Sequence, residues 1–483
     1  MSLMSLMLGE SLRLWLPELL LSVGAMAVLL TSAFAKRSAA ATVMTWLVLA
    51  GCAVSLWAVP ATASHSLFFG LIVVDPLAMV FRWLALGVVA LVALMATNSS
   101  DVARAWRGDY LSLFLFVGVG LMLMAEANHL LMAYLAMELV SLTSYVLVAF
   151  SRDARSSEAA LKYLLFGALS SGIMLFGMSL LFGMTGGALA FPALQEAVGR
   201  LTHQQTQACV VPVALVVTGL AFKISMVPFH MWTPDVYEGA PVPVTAMLSV
   251  GPKAAGLALL LRITGALSPM WPAVAPVFFV LTIVTMTLGN VAALVQQNVK
   301  RLLAYSTIGQ VGYLLIGFSV HTSIGVEGML VYLVAYLFMN LGAFACVVAV
   351  CNDAQDESLD AFRGLARRAP GWALGLAVCL LSLAGLPPLV GFIGKFLLFG
   401  AALQASQVVL AVAAVLNSAI ALYYYVNIIR QMYLLEPRRA EALHPALSLR
   451  VALGVCGLAT VGLGLFPSGL LAWLSRVAAA NLL

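Results

Sequence analysis

Charge is scarce in this chain. Only 9% of its 483 residues are Asp, Glu, Lys or Arg, where a soluble domain carries roughly 25%, and that excludes a soluble enzyme. Disorder is excluded by the opposite excess, since 63% of the residues are hydrophobic. Cysteine is sparse as well. Cys52, Cys209, Cys346, Cys351, Cys379 and Cys456 form no Cys-x-x-Cys and have no His at zinc spacing, so a disulfide scaffold and a structural zinc site are excluded. They read as helix-packing side chains. Missing too are a Gly-x-Gly-x-x-Gly after a strand, a phosphate-binding loop and a nucleophile elbow. No nucleotide or electron carrier therefore has a visible site. The net charge of +5 is no nucleic-acid signal, because the basic residues sit in short loops between apolar runs.

Those apolar runs are what the chain has in abundance. Each spanning helix needs about 20 apolar residues, and the runs give about 14 spans, from Leu12–Thr31 to Leu449–Phe466. They do not alternate apolar and polar residues as barrel strands would, so the fold class is an all-α integral membrane protein. The tail from Pro467 to Leu483 is apolar but short and reads as a surface segment. Lys36/Arg37, Arg104/Arg107, Arg152/Arg155, Lys300/Arg301, Arg363/Arg367/Arg368 and Arg438/Arg439/Arg450 fall on one side, against Arg13, Arg200 and Arg476 on the other. The positive-inside rule puts the first set in the cytoplasm. An even number of spans then puts both termini outside.

Two runs are interrupted. Cys209–Pro228 leads through Phe222-Lys-Ile-Ser-Met-Val-Pro228 into a Pro-rich connection, and Trp372–Leu403 contains Gly385-Leu-Pro-Pro-Leu-Val-Gly-Phe-Ile-Gly-Lys395. Proline removes an intrahelical hydrogen bond, and in hydrocarbon the freed groups must be satisfied by protein or water. Broken helices 7 and 12 at corresponding places suggest two inverted five-helix repeats. The chain then divides into a three-helix segment (1–109), a first repeat of helices 4–8 (110–266), a second of helices 9–13 (267–434), and a C-terminal helix and tail (435–483).

The charges inside the spans carry the functional argument, because each costs at least about 2.5–3.5 kcal/mol near the bilayer centre. Glu138 lies midway along the fifth span, with Ser141 and Tyr145 on the same helical face. Lys223 and Lys395 lie at the two breaks. Lys253 follows Pro252 inside the eighth span, and Lys162 lies near the loop end of the sixth. Burial and the distance to a carboxylate both set how tightly a lysine holds its proton, so a Lys223–Glu138 pair would be adjustable. Titratable groups strung across kinked helices read as a proton or cation pathway. Moving one charge against 100 mV takes about 2.3 kcal/mol, the scale of a change in such pairing. Arg82, Arg262 and Arg430 read as interfacial anchors, Asp235 and Glu238 as helix caps or water-facing groups, and His230 and His321 as structural. No carboxylate–His cluster suggests a metal.

Three stretches carry a family resemblance: Phe222 to Val244, Gly385 to Phe396, and Asn298-Val-Lys-Arg-Leu-Leu-Ala-Tyr-Ser-Thr-Ile-Gly-Gln-Val-Gly-Tyr313. Together they resemble the subunit N family of the proton-pumping NADH–quinone oxidoreductase (respiratory complex I), an antiporter-like family. The resemblance implies a half-channel glutamate at Glu138, a broken-helix lysine at Lys223, a central lysine at Lys253 and a final lysine at Lys395. Lys162 also matches the family's pattern. In subunits M the last position is commonly Glu, so Lys395 favours the N type. The resemblance places NADH, FMN, iron–sulfur clusters and quinone in partner subunits, with no cofactor in this chain. It implies as partners antiporter-like subunit M, small subunits K and J, and the lipid bilayer of the cell inner (plasma) membrane, and no nucleic acid. Two other readings share these residues: a subunit of a cation/proton antiporter assembly without electron transfer, with a membrane hydrogenase subunit as a close variant, and a scaffold that only spaces its neighbours.

Overall fold

The computed structural model describes residues 9, 11–35, 38–60, 64–439 and 441–480; Lys36 and Arg37 lie outside them. Several spanning helices start at sequence-coded caps. The Asp75 carboxylate accepts from the Ala78 N–H with Pro76 at the first helical position, Asp153 accepts from Ser156, and Thr202 and Gln205 form a reciprocal capping box. These side chains take up backbone donors that a helix start leaves unpaired.

In chain order the main helices are α1 (Leu16–Ala35), α2 (Ser38–Ala58), α3 (Pro76–Ala96), α4 (Arg107–Glu126), α5 (Leu130–Val148), α6 (Ala154–Met184) and, after a short helix at Phe191–Gly199, α7 (His203–Ile224). There follow α8 (Trp232–Gly239), α9 (Val242–Ala266), α10 (Trp271–Ala293), α11 (Val299–Val320) and α12 (Ser323–Ala354). The last are α13 (Pro370–Ala384), α14 (Val390–Gln404), α15 (Val408–Leu434), α16 (Leu447–Leu465) and α17 (Ser468–Ala480). A two-stranded antiparallel hairpin, His65–Leu67 with Ile72–Val74, precedes α3. Among the described residues thirteen helices are long and apolar enough to cross a membrane. The run from 370 to 404 is two shorter apolar helices, α13 and α14, so this span is not a single rod. The tail does not lie free on the surface: α17 buries Leu474, Val477 and Ala478, packing against α12.

Burial separates a centre from a rim. In α9 and α11, 94% of the spanning window is buried, and in α12 89%, against 33% in α1, α2 and α10 and 28% in α16. The central helices bury all their faces, as hydrophobic helices do inside a large bundle. The rim helices show large apolar side chains outward, such as Phe34, Trp57 and Leu458. Polar groups within the centre therefore have only one another as partners, which is what gives the interior charges their meaning.

Candidate functional site

Helix α7 ends at Ser225, whose backbone is left-handed (φ 63°), and the chain resumes as α8 seven residues on. Lys223 stands in the last turn of α7, 1% exposed. Its ammonium donates to Ser141 Oγ at 2.9 Å and, weakly, to the Met137 carbonyl at 3.5 Å, both on α5. Glu138 is on the same helix but does not pair with the lysine. Its Oε1 accepts instead from Ser171 of α6. The sequence thus identified two groups that the fold brings to one place, but a serine stands on each of them. Tyr163 stacks on Trp232 at 4.3 Å, and Trp232 Nε1 donates to the Phe222 carbonyl at 3.1 Å, which fixes α8 against the end of α7. Gly256 of α9 is required here, since a Cβ would stand 2.6 Å from Ile224.

Lys253 is fully buried in α9, which continues through Pro252 without a break in its helical span. Its ammonium has no hydrogen-bond partner among the described residues. It lies 4.7 Å from the centre of the Trp232 ring and 5.2 Å from that of Tyr237. Ring faces are electron-rich and attract a cation, so two aromatic side chains of α8 stand where an acceptor would be expected.

Lys395 belongs to α14 and reaches back to the end of α13. It donates to the carbonyls of Leu383 and Ala384 and to Ser418 Oγ, each at 3.0 Å, and lies 4.3 Å from the Tyr313 ring centre. Helix α13 stops at Gly385 (φ 90°), leaving its last carbonyls without intrahelical donors, and a cation is favoured at that end of a helix. The two pieces close tightly: a Cβ on Gly391 would come 2.0 Å from the Ser382 carbonyl.

Between Lys253 and Lys395 runs a polar stripe on α11 that sequence reasoning did not single out. Thr307 accepts from Tyr336 at 3.0 Å. One turn on, the Gln310 amide nitrogen donates to Tyr425 at 3.0 Å and to the Leu383 carbonyl at 3.2 Å, while its oxygen accepts from Tyr332. Leu383 O thus receives both Gln310 and Lys395. Tyr313 accepts from Asn290 at 3.0 Å. The available signal was spacing: Thr307, Gln310 and Tyr313 recur every three residues, along one face of a helix.

Lys162 does not join the buried row. It is 41% exposed and pairs with Glu158 at 2.9 Å and Asp235 at 3.1 Å. Asp235 and Glu238 do not cap a helix; both are partly exposed to water and accept from Arg301, at 2.7 and 2.9 Å. Arg155 joins Glu238 and Glu357, and Glu357 binds Lys300 at 2.6 Å. Burial alone would raise the Glu357 carboxyl, but Lys300, Arg155 and Asn298 outweigh it and hold it below the ordinary carboxylate range. Arg82 and Arg262 are not anchors at a membrane surface. Arg82 is fully buried between Glu18 and Glu126, and Arg262 holds both oxygens of Asp75 at 2.8 and 2.9 Å. Arg430 is exposed. All six cysteines are free and buried. Among the described residues no group of three or more His, Cys, Asp or Glu could hold a metal ion.

Fold and site together define a polytopic helical membrane protein whose interior carries lysines without paired carboxylates. The sequence matches, over residues 127–421, the family described as NADH:quinone oxidoreductase/Mrp antiporter, TM. NADH-quinone oxidoreductase subunit N 2 of Sorangium cellulosum is 47% identical over 399 residues, 78% of this chain and 79% of that protein. Subunit N of an Anaeromyxobacter species is 40% identical, with 97% of each chain covered. Among solved structures, a chain of respiratory complex I from Thermus thermophilus matches with a TM-score of 0.81 at 32% identity, covering 94% of this chain and 98% of that one. A chain of the Mrp complex from Dietzia shares the fold with a TM-score of 0.86 at 24% identity, covering 98% of each. The chain belongs to the NADH:quinone oxidoreductase/Mrp antiporter family of membrane proteins.

Proposed function

We propose that this chain is the proton-translocating subunit N of a membrane-bound NADH–quinone oxidoreductase, moving protons through Glu138, Lys223, Lys253 and Lys395, with Lys162 at the loop end of the route. One observation carries the reading: Lys223, Lys253 and Lys395 are almost fully buried, and among the described residues none of the three pairs with a carboxylate; Lys223 and Lys395 donate to hydroxyls and carbonyls, and Lys253 has no hydrogen-bond partner. A buried charge without a fixed counter-ion is costly, so each amine can take up or give back a proton as its surroundings shift. Glu138, engaged with Ser171, is the group whose approach to Lys223 would favour the charged lysine.

Protons pass from the Lys223 region through Lys253 and along the Thr307–Gln310 stripe to Lys395. The inverted repeats are residues 110–266 and 267–434, flanked by the 1–109 segment and the 435–483 tail. The protein spans the cell inner membrane with both termini outside. NADH, FMN, iron–sulfur clusters and quinone belong to partner subunits, and subunits M, K and J are the membrane neighbours. Quinone reduction in those partners supplies the energy. The test uses membranes carrying Lys223→Ala, matched to wild type for assembled complex, with NADH-driven quinone reduction and membrane potential recorded together. A clear loss of potential per electron transferred is expected; an unchanged proton-to-electron ratio would sink the assignment.

A further inference from the structure

Outside the lysine row, a second buried charge cluster lies where α1, α3 and α4 meet. Arg82, Glu18 and Glu126 are all 0% exposed. Arg82 Nε donates its single N–H to Glu126 Oε1 at 2.6 Å. Nη2 donates to Glu18 Oε2 at 3.0 Å and to the Leu14 carbonyl at 3.3 Å, and Nη1 points to Met79 Sδ at 3.7 Å.

The guanidinium does not satisfy both carboxyls. Glu18 Oε1 is 2.9 Å from Arg82 Nε, but that nitrogen's one hydrogen is already committed, and among the described residues Glu18 Oε1 has no hydrogen-bond donor. Glu126 Oε2 has no partner either. Two carboxyls that approach the same guanidinium nitrogen, at 2.9 and 2.6 Å, thus each keep one orphan oxygen in a fully buried setting, where an unsatisfied acceptor is expensive. Charge makes the same point. Two carboxylates against one guanidinium would bury a net negative charge, which such an interior does not hold unpaired. One proton removes both problems: it neutralises the group, and as an O–H on one carboxyl it donates to the orphan oxygen of the other, as in acid pairs that share a proton because both cannot ionise at close range.

We propose that Glu18 and Glu126 hold one shared proton against Arg82, making the junction of the three-helix segment with α4 a proton-binding site separate from the lysine row. The charged and titratable groups facing it are few. Cys52 of α2 faces Glu18 and Arg82. Arg262 of α9, paired with Asp75, donates to the carbonyl of Ala125, the residue before Glu126. Arg262 also lines a cavity of about 210 Å³ together with Asn128, Gln195 and His321.

The test is carried out on the assembled complex. Glu18→Gln, Glu126→Gln and the double variant are compared with wild type by infrared difference spectroscopy in the carbonyl-stretch region of protonated carboxyls, and by the amount of assembled complex. Each single variant leaves one carboxylate and one guanidinium, a neutral pair that needs no proton. Each is therefore expected to assemble like wild type and to lose the protonated-carboxyl band. The double variant strands the guanidinium and should lower assembly several-fold. Two results would overturn the proposal: a band that survives in both single variants, or single variants that assemble as poorly as the double, which would mean that both negative charges are needed.

Discussion

Lys223 and Lys395 stand at comparable interruptions of the helical bundle, and their surroundings differ. Lys223 has a hydroxyl at 2.9 Å and a long contact to one carbonyl, with a carboxylate, Glu138, on the same facing helix but tied to Ser171. Lys395 has three acceptors at 3.0 Å, two of them the closing carbonyls of α13, and a tyrosine ring below. The first lysine has one close acceptor and stands near a carboxyl that a different side chain holds. The second is a fixture of the helix end it caps. The same residue type thus meets a single close hydroxyl in one region and the closing carbonyls of a helix in the other, and the difference lies in what each ammonium touches.

The largest expected effect tests the anchoring. Lys395→Met strips three acceptors, while Lys223→Met strips one good one. A net hydrogen bond is worth about 1 kcal/mol, and a buried acceptor left alone costs about 1–3 kcal/mol. Lys395→Met should therefore destabilise the purified complex by about 2–3 kcal/mol and Lys223→Met by about 1 kcal/mol, read as the fall in thermal midpoint. Equal losses, or the reverse order, would remove the distinction.

A smaller effect separates the two serines. Ser418→Ala and Ser171→Ala each remove one hydrogen bond, worth about 1 kcal/mol. Only Ser171→Ala frees Glu138, so only it should change the pH dependence of membrane-potential formation. The comparison fails if both variants leave the profile as it was or both shift it.

The smallest effect concerns Glu357, which joins the two regions by binding Arg155 of α6 and Lys300 of α11. Its carboxyl is held low in the folded protein by those cations against the pull of burial. A depressed carboxyl contributes stability above its unfolded value and loses it as pH falls through the folded value. Acidification below about pH 4 should therefore weaken the tie, and Glu357→Gln should destabilise the complex at neutral pH by on the order of 1 kcal/mol, read as a lower thermal midpoint, while flattening its acid dependence. A variant with the wild-type acid profile would show that Glu357 contributes nothing to it.

Much of the fold was legible because membrane helices announce themselves locally. Twenty apolar residues in a row need no knowledge of the rest of the chain, and a left-handed Gly385 or a Pro marks where a helix can stop. The buried lysines were legible for the same reason: a charge in an apolar run is conspicuous. Partners were not. Arg82 looked like an anchor because its nearest acids in space, Glu18 and Glu126, are 64 and 44 residues away in sequence. Lys223 looked paired with Glu138 because both are charged; that serines intervene is decided by how α5, α6 and α7 rotate against one another. Thr307 and Gln310 drew no attention because uncharged polar residues are common and cheap in a sequence, and become significant only when packing joins them to polar groups of other helices.

The sequence by itself determined the solvent, the approximate number of spans and which side chains would be costly to bury, since hydropathy, proline chemistry and charge act through the residue and its immediate neighbours. Only the tertiary structure decided which costs are offset and by what. A hydrogen bond or an ion pair depends on distances of about 3 Å, set by the packing of helices far apart in the chain. That packing placed a carbonyl-lined seat under Lys395, aromatic rings under Lys253, and two carboxyls around one guanidinium.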